Sequence, residues 1–221
     1  MKRIEQVLAA RADYSSFLVH LTRKQEGLPA RKVLKKILKD RRLEARGTHC
    51  LFMHHVERDD EEHFNVVCFT EAPLHQIKTF LGRIEGRDIE LGPYGLVFTK
   101  DFISSKGGNP ALYINTHHNP TLRKAAVALF EHARDDGFDD SPWTPLLPFI
   151  NIFGRTTGGR RYDFYWEREW RIVGDLKFAY TDVVVGLCPA ERVNEFEEEF
   201  PKVKFISPRW GLDQIINHLR A

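Results

Sequence analysis

The segment from residue 162 to residue 173, YDFYWEREWRIV, constrains the fold more than any other stretch of the chain. It is rich in aromatic residues, which favour a pleated, half-buried surface, so we predict that it forms one strand. Because side chains alternate along a strand, Glu167 and Glu169 are expected to share one face with Arg171. Two carboxylates on one face repel each other unless a cation, a ligand or solvent offsets their charge, and a catalytic acid or base is often prepared in this way. The alternative is a structural ion pair on a solvated face of the sheet, between one glutamate and either Arg171 or a cation of an adjacent strand.

Length and composition point to an ordinary globular protein. At 221 residues with a net charge of +2, and with neither an internal repeat nor a long linker, residues 1–221 are predicted to form a single domain. The chain lacks any apolar run near the roughly 18 residues that cross a bilayer, so we expect no membrane partner. Residues 1–14 lack the apolar segment of a signal peptide and predict a short amphipathic helix.

The cysteines and histidines do not form a recognisable metal motif. Cys50, Cys68 and Cys188 are isolated, which argues against a disulfide framework and a thiolate zinc site and favours a cytoplasmic location. Residues 48–63 hold four histidines among acidic residues, but without H-E-x-x-H spacing. We therefore expect no metal. A metal-dependent nuclease that uses this cluster with Glu167 and Glu169 remains an alternative.

Periodicity predicts the other elements of the chain. Strands are predicted in residues 15–22, 65–70, 94–102, 111–115, 182–189 and 203–207. Helices are predicted in residues 29–46, 74–80, 121–132, 190–201 and 211–221. Residues 134–161 are predicted to be an irregular segment with one short helix.

The predicted helix at residues 29–46 is strongly basic. Pro29 suits its first turn, and Gly47 suits its C-terminal stop. Such a run of cations is typical either of a solvated helix face or of a surface that contacts a phosphate backbone. The candidate nucleic-acid-binding residues are Arg31, Lys32, Lys35, Lys36, Lys39 and Arg42.

Several short motifs resemble a known family. LVHLTR, KKILKDRRLEA, VCFTEAPL, YGLVFTK, NPALYIN and EREWRIV, which cover most of residues 17–173, resemble the AbiGi-type abortive-infection phage-resistance proteins. The layout is also similar to that of the DarT-type DNA-targeting ADP-ribosyltransferases, which carry a histidine and then a hydroxyl residue on the first strand, and a catalytic glutamate on a late strand. This resemblance implies an α+β fold with mainly antiparallel, ADP-ribosyltransferase-like sheets flanked by helices.

The resemblance also assigns roles to individual residues. Glu169 would be the catalytic glutamate, and Glu167 would assist the acceptor as a base. The residues that would contact NAD are His20, Thr22, Arg23, Phe69, Thr70 and Tyr94. Among them, His20 and Thr22 would hold the nicotinamide ribose and amide.

This chain departs from the DarT-type pattern after the strand that contains Phe69. Those enzymes have an arginine there, whereas this chain has Glu71 and Ala72. Arg23 is the residue that we expect to bind the pyrophosphate of NAD instead.

The resemblance, together with the E-x-E spacing and the basic helix, implies an NAD-dependent ADP-ribosyltransferase that modifies a macromolecule, with nucleic acid (DNA or RNA) as the preferred acceptor, in phage defence or as a toxin. NAD would be its substrate, and a cognate toxin or antitoxin protein is a further expected partner. The main alternative is a non-enzymatic antitoxin or nucleic-acid-binding module of an abortive-infection system.

Overall fold

The computed structural model describes residues 14–84, 89–155, 161–162 and 164–220. The helix predicted at residues 1–14 therefore lies outside the described residues, apart from Tyr14. The protein is mixed α/β, with a mostly antiparallel large sheet flanked by helices, which confirms the predicted α+β class. None of the helices in these ranges is long and apolar enough to cross a membrane.

Two compact units divide the chain. The first comprises Met1–Arg42, Phe69–Ile103 and Lys177–Ala221, and the second comprises Leu43–Cys68 and Ser104–Leu176. That the whole chain forms a single domain stays a prediction.

Twelve strands lie within the described residues. They are β1 (Phe17–Leu21), β2 (Arg42–Leu43), β3 (Val66–Thr70), β4 (Gly95–Thr99), β5 (Asn109–Pro110), β6 (Leu112–Asn115), β7 (Ile150–Arg155), β8 (Arg161–Tyr162), β9 (Glu169–Val173), β10 (Leu176–Lys177), β11 (Val183–Leu187) and β12 (Phe205–Ile206).

Five α-helices and six 3₁₀ helices lie in the same part of the chain. The α-helices are α1 (Ala30–Asp40), α2 (Lys100–Ser105), α3 (Pro120–Asp136), α4 (Val193–Glu199) and α5 (Leu212–Arg220). The 3₁₀ helices are Arg58–His63, Leu74–Phe80, Thr144–Phe149, Phe164–Glu167, Tyr180–Asp182 and Ala190–Arg192.

In the first unit, β1 pairs on both of its edges. It runs antiparallel to β4, with Val19 opposite Val97, and antiparallel to β3, with Val19 opposite Thr70. β11 continues the sheet beyond β4 as an antiparallel strand, and β12 is parallel to β11. The side chains of Val19 and Leu21 enter one core cluster with Val97, as the predicted alternation along β1 requires.

Gly95 permits the close approach of β4 to β1. It lies opposite Leu21, and a Cβ atom at this position would overlap the main-chain carbonyl group of His20. Any larger residue at position 95 would therefore displace the main chain at the predicted cofactor residue His20.

The second unit contains three strand pairings and a phenylalanine-rich core cluster. β5 is antiparallel to β9, with Asn109 opposite Arg171, whereas β6 is parallel to β7 and β7 is antiparallel to β8. Helix α3 begins after Asn119, whose side chain accepts a hydrogen bond from the Leu122 N–H. The buried face of α3 includes Phe130, which stacks on Phe52.

The basic helix is shorter than predicted. α1 ends at Asp40, because Arg41 adopts a left-handed conformation (φ 50°) and donates its N–H to the Ile37 carbonyl oxygen. Arg42 and Leu43 then form β2. The prediction that the helix continues to Arg46 and stops at Gly47 is therefore wrong. Apolar periodicity does not reveal that a residue other than glycine adopts the left-handed conformation that ends a helix.

One further boundary and one additional strand differ from prediction. The strand predicted in residues 94–102 ends at Thr99, whose hydroxyl accepts a hydrogen bond from the Phe102 N–H as α2 begins. The segment predicted to be irregular contains β7 after its 3₁₀ helix. That strand owes its existence to parallel pairing with β6, a long-range partner that local pattern does not reveal.

Candidate functional site

The two candidate glutamates do not lie on one continuous strand. Glu169 is the first residue of β9, whereas Glu167 is the last residue of the 3₁₀ helix Phe164–Glu167. Between them Arg168 has a left-handed main chain (φ 48°), and its N–H donates to the Tyr165 carbonyl oxygen at 3.1 Å. The prediction of one strand from 162 to 173 is therefore wrong. Because the turn at Arg168 interrupts the strand, the alternation of side chains does not place the two carboxylates on one face.

A buried ion pair fixes the carboxylate of Glu169. Arg171 Nε donates to Glu169 Oε1 at 3.1 Å, and Arg171 Nη2 donates to Glu169 Oε2 at 2.8 Å. The Arg171 side chain is 0% exposed and that of Glu169 is 15% exposed. The third contact of the guanidinium is from Nη1 to the Pro148 carbonyl oxygen, at 2.6 Å. The ion pair considered as the structural alternative is thus present, and it is buried rather than solvated.

Two more side chains donate to the same carboxylate. The Tyr113 hydroxyl group, on β6, donates to Glu169 Oε2 at 3.0 Å, and the Cys68 thiol, on β3, also hydrogen-bonds to Glu169. Sequence reasoning missed both. Neither residue is near Glu169 in the sequence, and the spacing of the cysteines bears only on metal and disulfide sites. We call Glu169, Arg171, Tyr113 and Cys68 the carboxylate cluster.

The electrostatics of the carboxylate cluster keep Glu169 ionised. Burial alone would raise the pKa of Glu169, but the charge of Arg171 and the hydrogen bonds from Arg171, Cys68 and Tyr113 lower it below its usual value. Burial, together with the charge of Glu169, raises the pKa of Tyr113 and raises that of Cys68 well above the usual thiol value. At neutral pH the cluster therefore holds a carboxylate, a guanidinium, a neutral phenol and a neutral thiol.

The residues predicted to bind NAD lie in the first unit, where two pairs are in contact. The His20 ring meets the Phe69 ring edge to face, with 5.9 Å between centroids. The buried Thr22 hydroxyl group lies 3.1 Å from the Tyr94 carbonyl oxygen and 3.2 Å from that of Ala30, so its single proton is shared between main-chain acceptors.

The other two residues predicted to contact NAD are Thr70 and Arg23. Thr70 lies opposite Val19 in the β-sheet, and Arg23 is exposed beyond the end of β1. A role in NAD binding stays a prediction for all six residues.

The basic face of α1 is largely paired with acidic side chains of its own unit. Lys35 binds Glu195 at 2.7 Å and also Glu199, and Lys39 binds Glu199 at 3.1 Å. The hydrogen bond from Lys35, followed by that from Arg192, lowers the pKa of Glu195 to about 2. Two of the four glutamates on α4, Glu195 and Glu199, thus pair with cations on α1.

The remaining candidates on this surface have varied surroundings. Arg31 lies 3.6 Å from Glu195, Lys36 pairs with Asp40 at 2.9 Å, Lys32 is exposed and Arg42 is partly buried. These ion pairs weaken the argument for a phosphate-binding helix, since a surface with balanced charge attracts a polyanion less strongly. Nucleic-acid binding by α1 stays a prediction.

The histidine-rich segment does not form a metal site with its neighbours in the described part of the chain. In those residues no group of three or more histidine, cysteine, aspartate or glutamate side chains is arranged to hold a metal ion.

Comparisons with protein-family models, with curated proteins and with solved structures find no match for this chain.

Proposed function

We propose that the protein is an NAD-dependent ADP-ribosyltransferase in which Glu169 is the catalytic carboxylate. The observation that carries this proposal is that Glu169 is held ionised and in one orientation by Arg171 and Tyr113. A fixed negative charge is what the reaction needs, because positive charge develops on the ribose as its bond to nicotinamide breaks.

The proposed reaction is a substitution at C1′ of the nicotinamide ribose. The C1′–N bond breaks, and nicotinamide leaves with the bonding electrons as a neutral molecule. The Glu169 carboxylate stabilises the oxocarbenium character at C1′ and accepts a hydrogen bond from the 2′-hydroxyl group. The acceptor nucleophile then bonds to C1′ and releases its proton to a base, the role proposed for Glu167.

The carboxylate cluster offers one exchangeable position for the ribose hydroxyl. A carboxylate has about four lone-pair positions, and here Arg171 fills two, Tyr113 one and the Cys68 thiol one. A thiol is the weakest of these donors. A ribose hydroxyl would therefore replace Cys68 without disturbing the ion pair.

Nucleic acid is the acceptor that we favour, and the aromatic turn before Glu167 supports it better than α1 does. Tyr165 is 56% exposed and Trp166 is 42% exposed, although Tyr165 also meets Phe153 edge to face. Exposed aromatic rings provide stacking surfaces for unpaired bases of any sequence. A role in phage defence or as a toxin is proposed on the resemblance of the sequence motifs alone.

Transfer of label from NAD tests the proposal directly. The purified protein is incubated with NAD labelled in its adenylate phosphate and with single-stranded DNA, duplex DNA, RNA or protein as acceptor. Labelling of one acceptor class is expected, and Glu169→Gln should slow it at least about a hundredfold. Glu57→Gln, at an exposed carboxylate of the same unit, is the matched control and should label at the wild-type rate. A folded Glu169→Gln protein that labels as fast as the control would rule out the catalytic role.

A non-enzymatic binding module is the second candidate, and one observation favours it. All of the lone-pair positions on Glu169 have partners, as is typical of a purely structural ion pair. On this alternative the protein neither binds nor cleaves NAD, and it binds nucleic acid or a cognate toxin. Nucleic-acid binding without nicotinamide release, measured on the same preparation, would favour the alternative.

A further inference from the structure

Helix α5 carries a row of exposed apolar side chains. Leu212 is 58% exposed, Ile216 is 40% exposed and Leu219 is 43% exposed. Residues at i, i+4 and i+7 share one face of a helix, so the three side chains form a continuous stripe. We call Leu212, Ile216 and Leu219 the α5 stripe. A contiguous apolar patch, unlike single exposed apolar residues, marks a surface that contacts a partner.

Helix α5 is held to the first unit along its length. Ile215 is buried in the same core cluster as the apolar side chains of β1. At the N-terminus of the helix, the Gln214 side chain accepts a hydrogen bond from the Gly211 N–H at 3.0 Å. Near the C-terminus, His218 Nε2 lies 3.0 Å from Glu197 Oε1 on α4. Because the helix is anchored in this way, the stripe is presented to solvent on a rigid element rather than on a frayed end.

One flank of the α5 stripe carries two opposite charges. Asp213 lies in the first turn and Arg220 in the last turn, and both are exposed. Seven residues separate them, so they differ by only about 20° around the helix and lie on the same flank. Along the axis they are about 10.5 Å apart, too far for the i+3 or i+4 pairing that one helix supports. Partners for both charges therefore have to come from outside the helix.

A second copy of α5 in antiparallel orientation matches both the stripe and its charges. Such a pair has two-fold symmetry, so Ile216 meets its own counterpart and Leu212 meets Leu219 of the second copy. Residues on the same flank face each other in an antiparallel pair, which places Asp213 of each copy beside Arg220 of the other. The helix dipoles also oppose each other. A parallel pair would instead bring Asp213 level with Asp213 and Arg220 level with Arg220.

The polar residues around the stripe disfavour a membrane surface as the partner. Helices that lie on a bilayer are rich in lysine and arginine on their polar face. The exposed polar residues of α5 are Asp213, Gln214, Asn217 and Arg220, whose charges cancel. Three apolar residues a side are also far fewer than the roughly 20–30 residues a side of a standard interface, so the contact is weak and reversible.

We propose that α5 forms a weak two-fold dimer of the protein, in which two α5 stripes pack antiparallel and Asp213–Arg220 ion pairs form at both ends. The dimer does not depend on the proposed transfer reaction, since no residue of the carboxylate cluster takes part in it.

Sedimentation equilibrium of the full chain between about 10 μM and 1 mM tests the proposal. The average mass should rise from that of one chain towards that of two. Ile216→Asp places two like charges opposite each other at the centre of the contact, so this variant should stay monomeric. Leu28→Asp, at another exposed leucine of the first unit, is the matched control and should associate as the wild type does. A wild type that is monomeric at 1 mM, or a folded Ile216→Asp protein that still associates, would overturn the proposal.

Charge exchange tests the antiparallel register. Asp213→Arg and Arg220→Asp each replace two attractive contacts of the dimer by repulsive ones, so each should raise the dissociation constant roughly two- to thirtyfold. The double variant that combines both changes restores opposite charges across the contact and should return to within about threefold of the wild type. Single variants that dimerise as the wild type does, or a double variant as weak as the singles, would overturn the register.

An engineered cysteine locates the two-fold axis. A disulfide requires Cα atoms within about 7 Å, which only residues near the axis satisfy. Ile216→Cys should form a cross-linked dimer on oxidation. Asn217→Cys, about 100° further around the helix, should not. The wild type, in which Cys50 and Cys188 are buried, gives the background. Equal cross-linking of the two variants would place the axis elsewhere and overturn the proposal.

Discussion

Replacing Glu169 by glutamine should destabilise the folded protein by about 3–5 kcal/mol, the usual cost of leaving one partner of a buried ion pair without the other. The Arg171 guanidinium is 0% exposed and gives two of its N–H groups to Glu169. Glutamine has nearly the same shape, so no cavity forms. It offers one neutral acceptor oxygen where the carboxylate offers two charged ones.

The remaining contacts of Arg171 do not replace the lost charge. Pro148 provides a carbonyl dipole at 2.6 Å, which satisfies one donor but does not neutralise the guanidinium. Tyr113→Phe should cost less than Glu169→Gln, about 1.5–3 kcal/mol, because it removes one hydrogen bond to a charged group and leaves the ion pair intact.

Urea unfolding at pH 7, followed by circular dichroism, measures these free energies in a double-mutant cycle. The proteins are the wild type, Glu169→Gln, Arg171→Met and the double variant that combines both changes. The double variant should lose clearly less stability than the sum of the two single losses, because neither charge is then left unpaired. Glu57→Gln, exposed in the same unit, should stay within about 0.5 kcal/mol of the wild type. A loss below about 1 kcal/mol for Glu169→Gln, or strict additivity in the cycle, would refute the reasoning.

Three further predictions concern pH and the main chain. Since the pKa of Glu169 lies below its usual value of 4.5 in the folded protein, its stabilising effect is complete above that value and is lost as the pH falls through the lowered pKa. In urea unfolding between pH 7 and pH 3, the free energies of unfolding of the wild type and Glu169→Gln should therefore approach each other as the pH falls below 4.5. A difference that stays constant over this range would contradict the prediction. Arg168→Val should be less stable than Arg168→Gly by at least about 1 kcal/mol in urea unfolding, because a β-branched residue resists the left-handed conformation, and equal stability would contradict it. Gly95→Ala should lower the free energy of unfolding by about 1–3 kcal/mol in the same assay, because the alanine Cβ would overlap the His20 carbonyl group. An unchanged free energy of unfolding would contradict this, because β1 and β4 would then move apart without cost.

The local pattern of apolar residues was sufficient to predict those strands and helices that bury one face and expose the other. The alternation of Phe17, Val19 and Leu21 placed β1 and its core face, and the periodicity of residues 121–132 located α3, which the structure extends to Pro120–Asp136. Period 2 and period 3.6 are local properties that burial selects, so they are visible in the sequence without knowledge of the partners.

Local pattern failed where one residue changed the main-chain direction. The run of aromatics from 162 to 173 has the composition of a strand, yet the left-handed Arg168 divides it into a 3₁₀ turn and β9. Arg41 ends α1 in the same way. Arginine has no strong preference for this conformation, so its identity gives no warning of the turn.

The α+β class and most of the strands and helices were predictable from the sequence alone, whereas the functional role of the ERE segment stays a prediction. The tertiary contacts of Glu169 were not predictable in this way: it binds Arg171, Cys68 and Tyr113, the last of which is 56 residues away. The same holds for the ion pair of Lys35 with Glu195, which is 160 residues away. Secondary structure follows from local dihedral preferences and burial patterns. The ionisation and reactivity of a side chain depend instead on which charges and donors surround it, and those come from distant parts of the chain.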